Sequence, residues 1–545
     1  MQSKKPMVVR GSLLTMDAAQ PRADAMAVVD GRLAAVGGLE AARAAAGPSA
    51  PVLDLGTSTV LPGLVDSHNH MLWTGLATQL LDLSSARSVP DVLRAVGAWA
   101  VDHPKAEWIV AAEGWEVDDL AERRYPTRQE LDGVCGDRPV YLPRAGHAAV
   151  ANTAALERGG VRADTPELLG GSIERDEHGD LTGLLLENAR NLVGQLVPDL
   201  TTAQRTAALR AIQSSYLASG ITTLQEPGLR SAEVASYQQL WADGDLIMRV
   251  SAMPLIADGT PLGDRLEGLR ALGVRTGFGD EHLRIGGLKL FLDGGGSLGT
   301  ALMRDAWPGS DGYHGEAVTS TVDLATIVRF CVEERWSLGV HAVGGAAIDI
   351  ALREFDATHK EDASIADLRF SLIHAYLDPS PANMSAAHRL GVVVASQPTM
   401  QERFAGILER RLGREQAAKA NPLRSWLDAG VIVAGGSDSP ITPHDPFRGI
   451  WQAVTRSSGE HGEAFGPDER ISRLEALQMY TSAAAWCSFA EDTAGSLSVG
   501  MPADWLAVDA DPMTCSLNEL AEMKPDITAV DGELVHDARS AQSPI

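Results

Sequence analysis

An α/β chain built on a (β/α)8 barrel, flanked by a β-sandwich assembled from both termini, is the fold this sequence predicts. Three observations predict it. Eight short apolar runs, each followed by polar or glycine-rich residues, recur through the middle of the chain. Helical patterns lie between many of them, and both ends read as short strands separated by turns.

From the N-terminus, residues 6–10, 25–29 and 32–36 are β-like, and Asp30-Gly31 between the last two is a hairpin signal. At the far end 504–508 and 527–530 are strand-like, and Asp531-Gly532 turns into 533–536. Residues 1–60 and 490–545 are therefore expected to form one composite β-sandwich domain. The barrel is expected over 61–489. Its strands fall at 59–65, 221–225, 248–253, 284–292, 337–340, 368–373, 392–396 and 431–434, with helices such as 202–218, 324–334 and 422–429 between them. About 150 residues separate the first two strands, and this interval carries strand-like runs of its own at 108–112 and 139–142. A structureless loop of that length is implausible, so an inserted subdomain is expected near 75–200. Insertions that follow barrel strands lie on the catalytic face.

The 545 residues are 45% hydrophobic with a formal charge of -26. That charge argues against nucleic acid and against an anionic membrane surface, both of which need a basic face. The four cysteines, Cys135, Cys331, Cys487 and Cys515, form no Cys-x-x-Cys pair, so neither a zinc ribbon nor a disulfide framework is indicated. No apolar core follows the basic residues near Met1, and no apolar stretch reaches membrane-spanning length. A cytoplasmic location is the expectation, with a homodimer as the commonest soluble assembly.

The first strand ends in His68-Asn69-His70. Residues i and i+2 of a strand face one side, so both imidazoles point to one place, as a divalent ion requires. Further reactive groups sit at the ends of other strands: Lys289 on the fourth, His341 on the fifth, His374 on the sixth and Asp438 after the eighth. Each has a plain alternative. A strand-end histidine is commonly a packed one, and Asp438 would cap a helix. Lys289 is harder to explain away, because burying an ammonium inside an apolar strand is costly. Together the six describe a metal site at the C-terminal ends of barrel strands.

These residues, with Pro62-Gly63-Leu64-Val65-Asp66-Ser67, Leu288-Lys289-Leu290-Phe291-Leu292-Asp293 and Gly436-Ser437-Asp438, resemble the amidohydrolase superfamily. More narrowly they resemble its amidohydrolase-3 branch, which includes N-substituted formamide deformylases. The resemblance spans nearly the whole chain. It implies that His68 and His70 bind a more buried ion and His341 and His374 a more exposed one. It also implies Lys289 as a bridging carbamate (N6-carboxylysine) and Asp438 as both ligand and general base. Zn²⁺ is the expected ion, and whether one or two bind stays open. The sequence departs from the family pattern at Ile373, Gly345 and the glycine run Gly294-Gly295-Gly296. None of these removes a ligand; they bear on the groups that support the ligands.

The implied reaction is hydrolysis of an amide, N-formyl or N-acyl C–N bond through a metal-activated hydroxide. Asp438 would take its proton and pass it to the leaving nitrogen. His147 is the candidate donor to the oxyanion. Ester, lactone or carbamate hydrolysis uses the same chemistry and remains an alternative, as does an inert binding barrel. Deamination is disfavoured, since Lys289 is present and Gly344 stands where deaminases carry a glutamate. Trp73, Trp115, Glu187, Arg304 and Gln397 are the leading candidates for substrate contact, followed by Glu226, Trp307 and Phe404.

Overall fold

The computed structural model describes residues 5–256, 260–458 and 464–539. Asp30 and Gly31 both take positive φ (49° and 81°), the geometry whose twist matches a two-residue hairpin, and join Arg22–Val29 to Arg32–Gly37. Asp531 and Gly532 repeat it (48° and 74°) between Ile527–Val530 and Glu533–Asp537. Among the described residues the terminal strands gather in a single seven-stranded sheet. Val52–Pro62 is its seam, parallel to Met7–Leu14 on one side and antiparallel to Trp505–Val508 on the other. Both of its edges are taken by strands from opposite ends of the chain, so hydrogen bonding runs on through one sheet. Val9, Met26, Val60, Trp505 and Ala529 pack into one cluster on it.

The middle of the chain alternates parallel strands with helices. Leu64–Asp66, Ile221–Leu229, Arg249–Pro254 and Leu283–Ile285 form a four-stranded sheet. Leu288–Phe291, Leu338–Ala342, Ser371–His374, Val393–Ser396 and Val433–Gly435 form a five-stranded one. A parallel bridge between Leu255 and Lys289 links the two on one side, and on the other the Ser67 N–H donates to the Gly435 carbonyl at 3.0 Å. Two expected strands are divided. The one at 284–292 breaks at Gly286-Gly287. The one at 59–65 breaks at Gly63: residues up to Pro62 belong to the terminal sheet, and Leu64 starts the parallel one. A Cβ at Gly63 would lie 2.2 Å from Thr222 Oγ1, so only glycine lets the chain cross between the two sheets there. The sixth strand starts late, at Ser371, because Ala363–Leu368 is a 3₁₀ turn.

Helices between the strands begin with the caps their sequences offer. Thr201 and Gln204 form a capping box ahead of Thr202–Ala218, and Ser320 caps Thr321–Glu333. Their apolar faces meet the sheets in a core that includes Leu290, Val340, Leu372, Val394, Leu324 and Ile348. Among the described residues no helix is long and apolar enough to cross a membrane.

The long interval after the first parallel strand builds a five-stranded sheet in the order Ile109–Val110, Val140–Arg144, Ala148–Ala151, Leu181–Glu187, Gly171–Arg175. It has an apolar cluster of its own around Val92, Val96, Leu131, Leu142 and Val150. Asp119 and Asp118 reach the helix Thr399–Leu412 through Arg403 (2.9 Å) and Arg410 (2.8 Å). The terminal sheet is tied to the parallel strands by buried Arg249. Its Nε and Nη2 grip the Asp504 carboxylate at 2.7 and 3.0 Å, and Nη2 also meets Asp531.

Candidate metal centre

Three-residue strand Leu64–Asp66 ends beneath His68 and His70, and its last residue organises the loop that bears them. Asp66 accepts hydrogen bonds from the His68 N–H (3.2 Å) and Asn69 Nδ2 (2.8 Å), and from the Ser437 N–H (3.0 Å) and Oγ (2.6 Å). The loop bearing His68 and the loop bearing Asp438 are thereby locked together, and the Asp438 N–H closes the contact on the His68 carbonyl at 2.8 Å. Burial raises Asp66 to about 6, against those four hydrogen bonds.

The imidazoles converge on one carboxylate oxygen. Asp438 Oδ1 lies 3.2 Å from His68 Nε2 and 3.3 Å from His70 Nε2. The His374 ring stands 5.1 Å from that of His68, and His341 stands 4.6 Å from His374. His68, His374 and Asp438 offer ligand atoms that all lie within 4.8 Å of one another. His374 and Asp438 both hold positive φ (74° and 56°), a left-handed backbone that non-glycine residues adopt at a cost and that clusters at functional sites. Burial pushes His68 down to about 4 and holds His341 and His374 well below the ordinary imidazole range. All three rings are therefore neutral at pH 7. Burial also raises Asp438, but the neighbouring His68 and His70 outweigh it and hold the carboxyl well below its usual range.

Lys289 is 1% exposed and its Nζ lies 4.6 Å from the centre of the Phe291 ring. Burial lowers it to about 7, with Asp438 and Asp293 opposing. Asp293, at the end of the same run, accepts the N–H groups of Leu302, Val343 and Gly344, each at 2.9 Å. Its carboxylate lies 3.8 Å from His341 Nε2.

The donor set fits a divalent ion. Two ligand atoms about 2.1 Å from a tetrahedral ion stand about 3.4 Å apart, close to the spacings of Asp438 Oδ1 from the two Nε2 atoms. The ligand chemistry agrees: neutral imidazole nitrogens, an ionised carboxylate and a buried amine whose proton is easily lost. His374 Nδ1 is fixed at 2.7 Å from Gln397 Oε1, which leaves Nε2 for the site.

Beside these residues opens a narrow cavity of about 40 Å³, lined by Asp438, His374, His341 and His147 and walled by Leu298, Met400, Phe404 and Ile441. Of the residues expected to touch substrate, Phe404 is in this wall. Trp73 stacks on His70 at 4.2 Å. Glu187 and Gln397 face histidines, the former bonding His147 Nδ1 at 2.8 Å. Trp115 and Arg304 are not brought to the cavity. Trp115 donates to the Pro143 carbonyl inside the inserted sheet's cluster. Arg304 spends its donors on Asp349, Asp378 and Asn383. Glu226 caps the helix after His70 through the Leu72 N–H. The geometry adds Asp66, Asp293 and Thr300. The first two had a signal, an aspartate closing an apolar strand, whereas Thr300 lies in a loop with none.

The family model described as "Amidohydrolase family" matches residues 51–536. The chain is 31% identical to an N-substituted formamide deformylase of Arthrobacter pascens, over 98% of this chain and 99% of that one. It is 29% identical to a putative amidohydrolase of Bacillus subtilis (strain 168), over 97% and 98%. A solved metal-dependent hydrolase of unassigned activity from Pyrococcus furiosus superposes with a TM-score of 0.72 at 26% identity, over 93% of this chain and 100% of that one. With a family model over residues 51–536 and likeness that covers both partners almost end to end, the chain belongs to the amidohydrolase family of metal-dependent hydrolases.

Proposed function

We propose that this enzyme hydrolyses a C–N bond of amide, N-formyl or N-acyl type in a small molecule, with Zn²⁺ at the histidine cluster of a (β/α)8 barrel. The observation that carries this is the convergence of His68 and His70 Nε2 on Asp438 Oδ1 beside the buried Lys289. His68 and His70 would hold the deeper ion, and His341 and His374 an outer one. Lys289, its ammonium lowered by burial to about 7, would as the neutral amine add CO₂ and release a second proton to supply an anionic carbamate ligand, which removes the burden of a buried cation. When bound, the metal supplies Lewis-acid polarisation of a carbonyl and acidifies a water.

The chain's own residues do the rest. Asp438, held ionised, takes a proton from the attacking water and releases it toward the leaving nitrogen. His147 reaches in from the inserted sheet, its ring 4.8 Å from that of His341, and lines the same cavity, where it would donate to the carbonyl oxygen. Leu298, Met400, Phe404 and Ile441 keep water from the reacting atoms and favour an uncharged substituent. The N-substituted formamide deformylase relative supports an N-formyl group as the first substrate to try.

The test is a panel of N-formyl, N-acyl, carbamate and ester compounds offered to zinc-loaded protein. Release of amine, lost on chelation and restored by added metal, is expected. Turnover of esters alone, or amine release untouched by chelation, would overturn the proposal.

A further inference from the structure

The glycine run Gly294-Gly295-Gly296 leaves room that a buried carboxylate fills. A Cβ at Gly294 would lie 2.5 Å from Glu187 Oε1 and 2.4 Å from Thr300 Oγ1. Glu187 ends the strand Leu181–Glu187, which pairs antiparallel with Ala148–Ala151, so register sets it beside His147. The two residues meet twice. The Glu187 N–H donates to the His147 carbonyl at 2.7 Å, and Glu187 Oε2 lies 2.8 Å from His147 Nδ1. The other oxygen, Oε1, accepts from Thr300 Oγ1 at 2.5 Å and from the Gly295 N–H at 3.4 Å. The side chain is nearly fully buried, and its backbone holds φ 49°, ψ -125°, outside the regions a glutamate prefers.

A carboxylate can only accept, so the proton of this bond belongs to His147 Nδ1. That leaves His147 Nε2 for the cavity it shares with His374 and Asp438. We propose that Glu187 is a positioning residue of the reaction, fixing His147 with its proton on Nδ1 and its Nε2 turned to the substrate. Thr300 and the Gly295 N–H hold Glu187 in turn, so a barrel loop aims a side chain that belongs to the inserted sheet. Glu187 does not itself touch substrate. In a ring protonated on both nitrogens the same Nδ1–H still bonds Glu187 while Nε2–H donates to a carbonyl oxygen. This inference rests on the hydrolytic reading above.

The test uses the full-length, metal-loaded protein with Glu187→Gln, Glu187→Ala, Thr300→Val and Thr300→Ser. The readouts are kcat and KM on an N-formyl amine, metal content, and ¹⁵N spectra of histidine-labelled protein with the His147 signal assigned by its loss in His147→Asn. Glu187→Ala is expected to lower kcat by about 100-fold and Thr300→Val by about tenfold, at the scale of acid–base positioning effects, whereas Glu187→Gln, which still accepts from Nδ1–H, should keep most of it. KM and metal content should stay within about twofold, and Thr300→Ser should restore kcat. The Nδ1-protonated signal of His147 should persist in Glu187→Gln and give way to the other tautomer in Glu187→Ala. An unchanged His147 signal in Glu187→Ala overturns the inference, as does full kcat in Thr300→Val. Absence of any C–N hydrolysis would instead defeat the hydrolytic reading, and the ¹⁵N spectra would still decide the role of Glu187.

Discussion

Glu226→Gln is expected to make this enzyme more stable above neutral pH. Glu226 lies within the strand Ile221–Leu229 and is fully buried. It accepts the Leu72 N–H at 3.0 Å and a hydrogen bond from the Tyr237 hydroxyl. In this way it caps the short helix Met71–Leu76, which comes directly after His70. Burial raises its pKa from 4.5 to about 8, with the two hydrogen bonds opposing. An acid whose folded pKa is raised keeps its proton longer in the folded chain than in the unfolded one. Stability therefore falls as pH rises from about 4.5 to about 8 and is level on either side. At 1.36 kcal/mol per unit the full fall is on the order of 5 kcal/mol. Glutamine keeps the shape, an acceptor for Leu72 and a donor for the Tyr237 oxygen, but cannot ionise. Urea midpoints of parent and variant, at equal metal loading, should nearly coincide at pH 5. They should separate in the variant's favour by pH 8, by several kcal/mol. Parallel midpoint curves across that range would refute the reasoning, as would a variant less stable than the parent at pH 8.

Three further outcomes are expected. Asp438→Asn should lower turnover by about 10³-fold or more while the histidines still bind metal, read by steady-state kinetics beside elemental analysis; undiminished turnover removes Asp438 as the base. Lys289→Ala should lose metal if a carbamate bridges two ions, so an unchanged metal-to-protein ratio would point to one ion without a lysine-derived ligand. Arg249→Met should cost about 3–5 kcal/mol, because it leaves the Asp504 carboxylate buried without its partner. An unchanged melting temperature in that variant would mean the terminal sheet does not depend on this ion pair.

Much of the fold was legible in the sequence because it is local. Asp30-Gly31 and Asp531-Gly532 turn as the dipeptides dictate, since both residues must accept positive φ. Parallel strands lie where short apolar runs precede polar loops, and helix 202–218 begins directly after Thr201, the threonine of its capping box. The family resemblance held for the same reason: its motifs sit at strand ends, where spacing and chemistry are written in consecutive residues. Boundaries failed where the tertiary environment sets them. The apolar run 59–65 carries no mark of belonging to two sheets, because only the approach of Thr222 to Gly63 shows why the chain must cross there.

The sequence by itself determined the chemistry available: two imidazoles on one side of a strand end, two more at later strand ends, a lysine in an apolar run and an aspartate after Gly-Ser. Their places at or just beyond the ends of apolar runs and the cost of burying a cation are enough to single these out. Only the tertiary structure decided what supports them. It set Gln397 against His374 and Glu187 against His147, and spent Arg304 on Asp349, although the sequence offered all three equally for substrate contact. The reason is distance along the chain. Glu187 and Thr300 are 113 residues apart, and no local pattern records that the inserted sheet returns its last strand to the loop beyond Gly294.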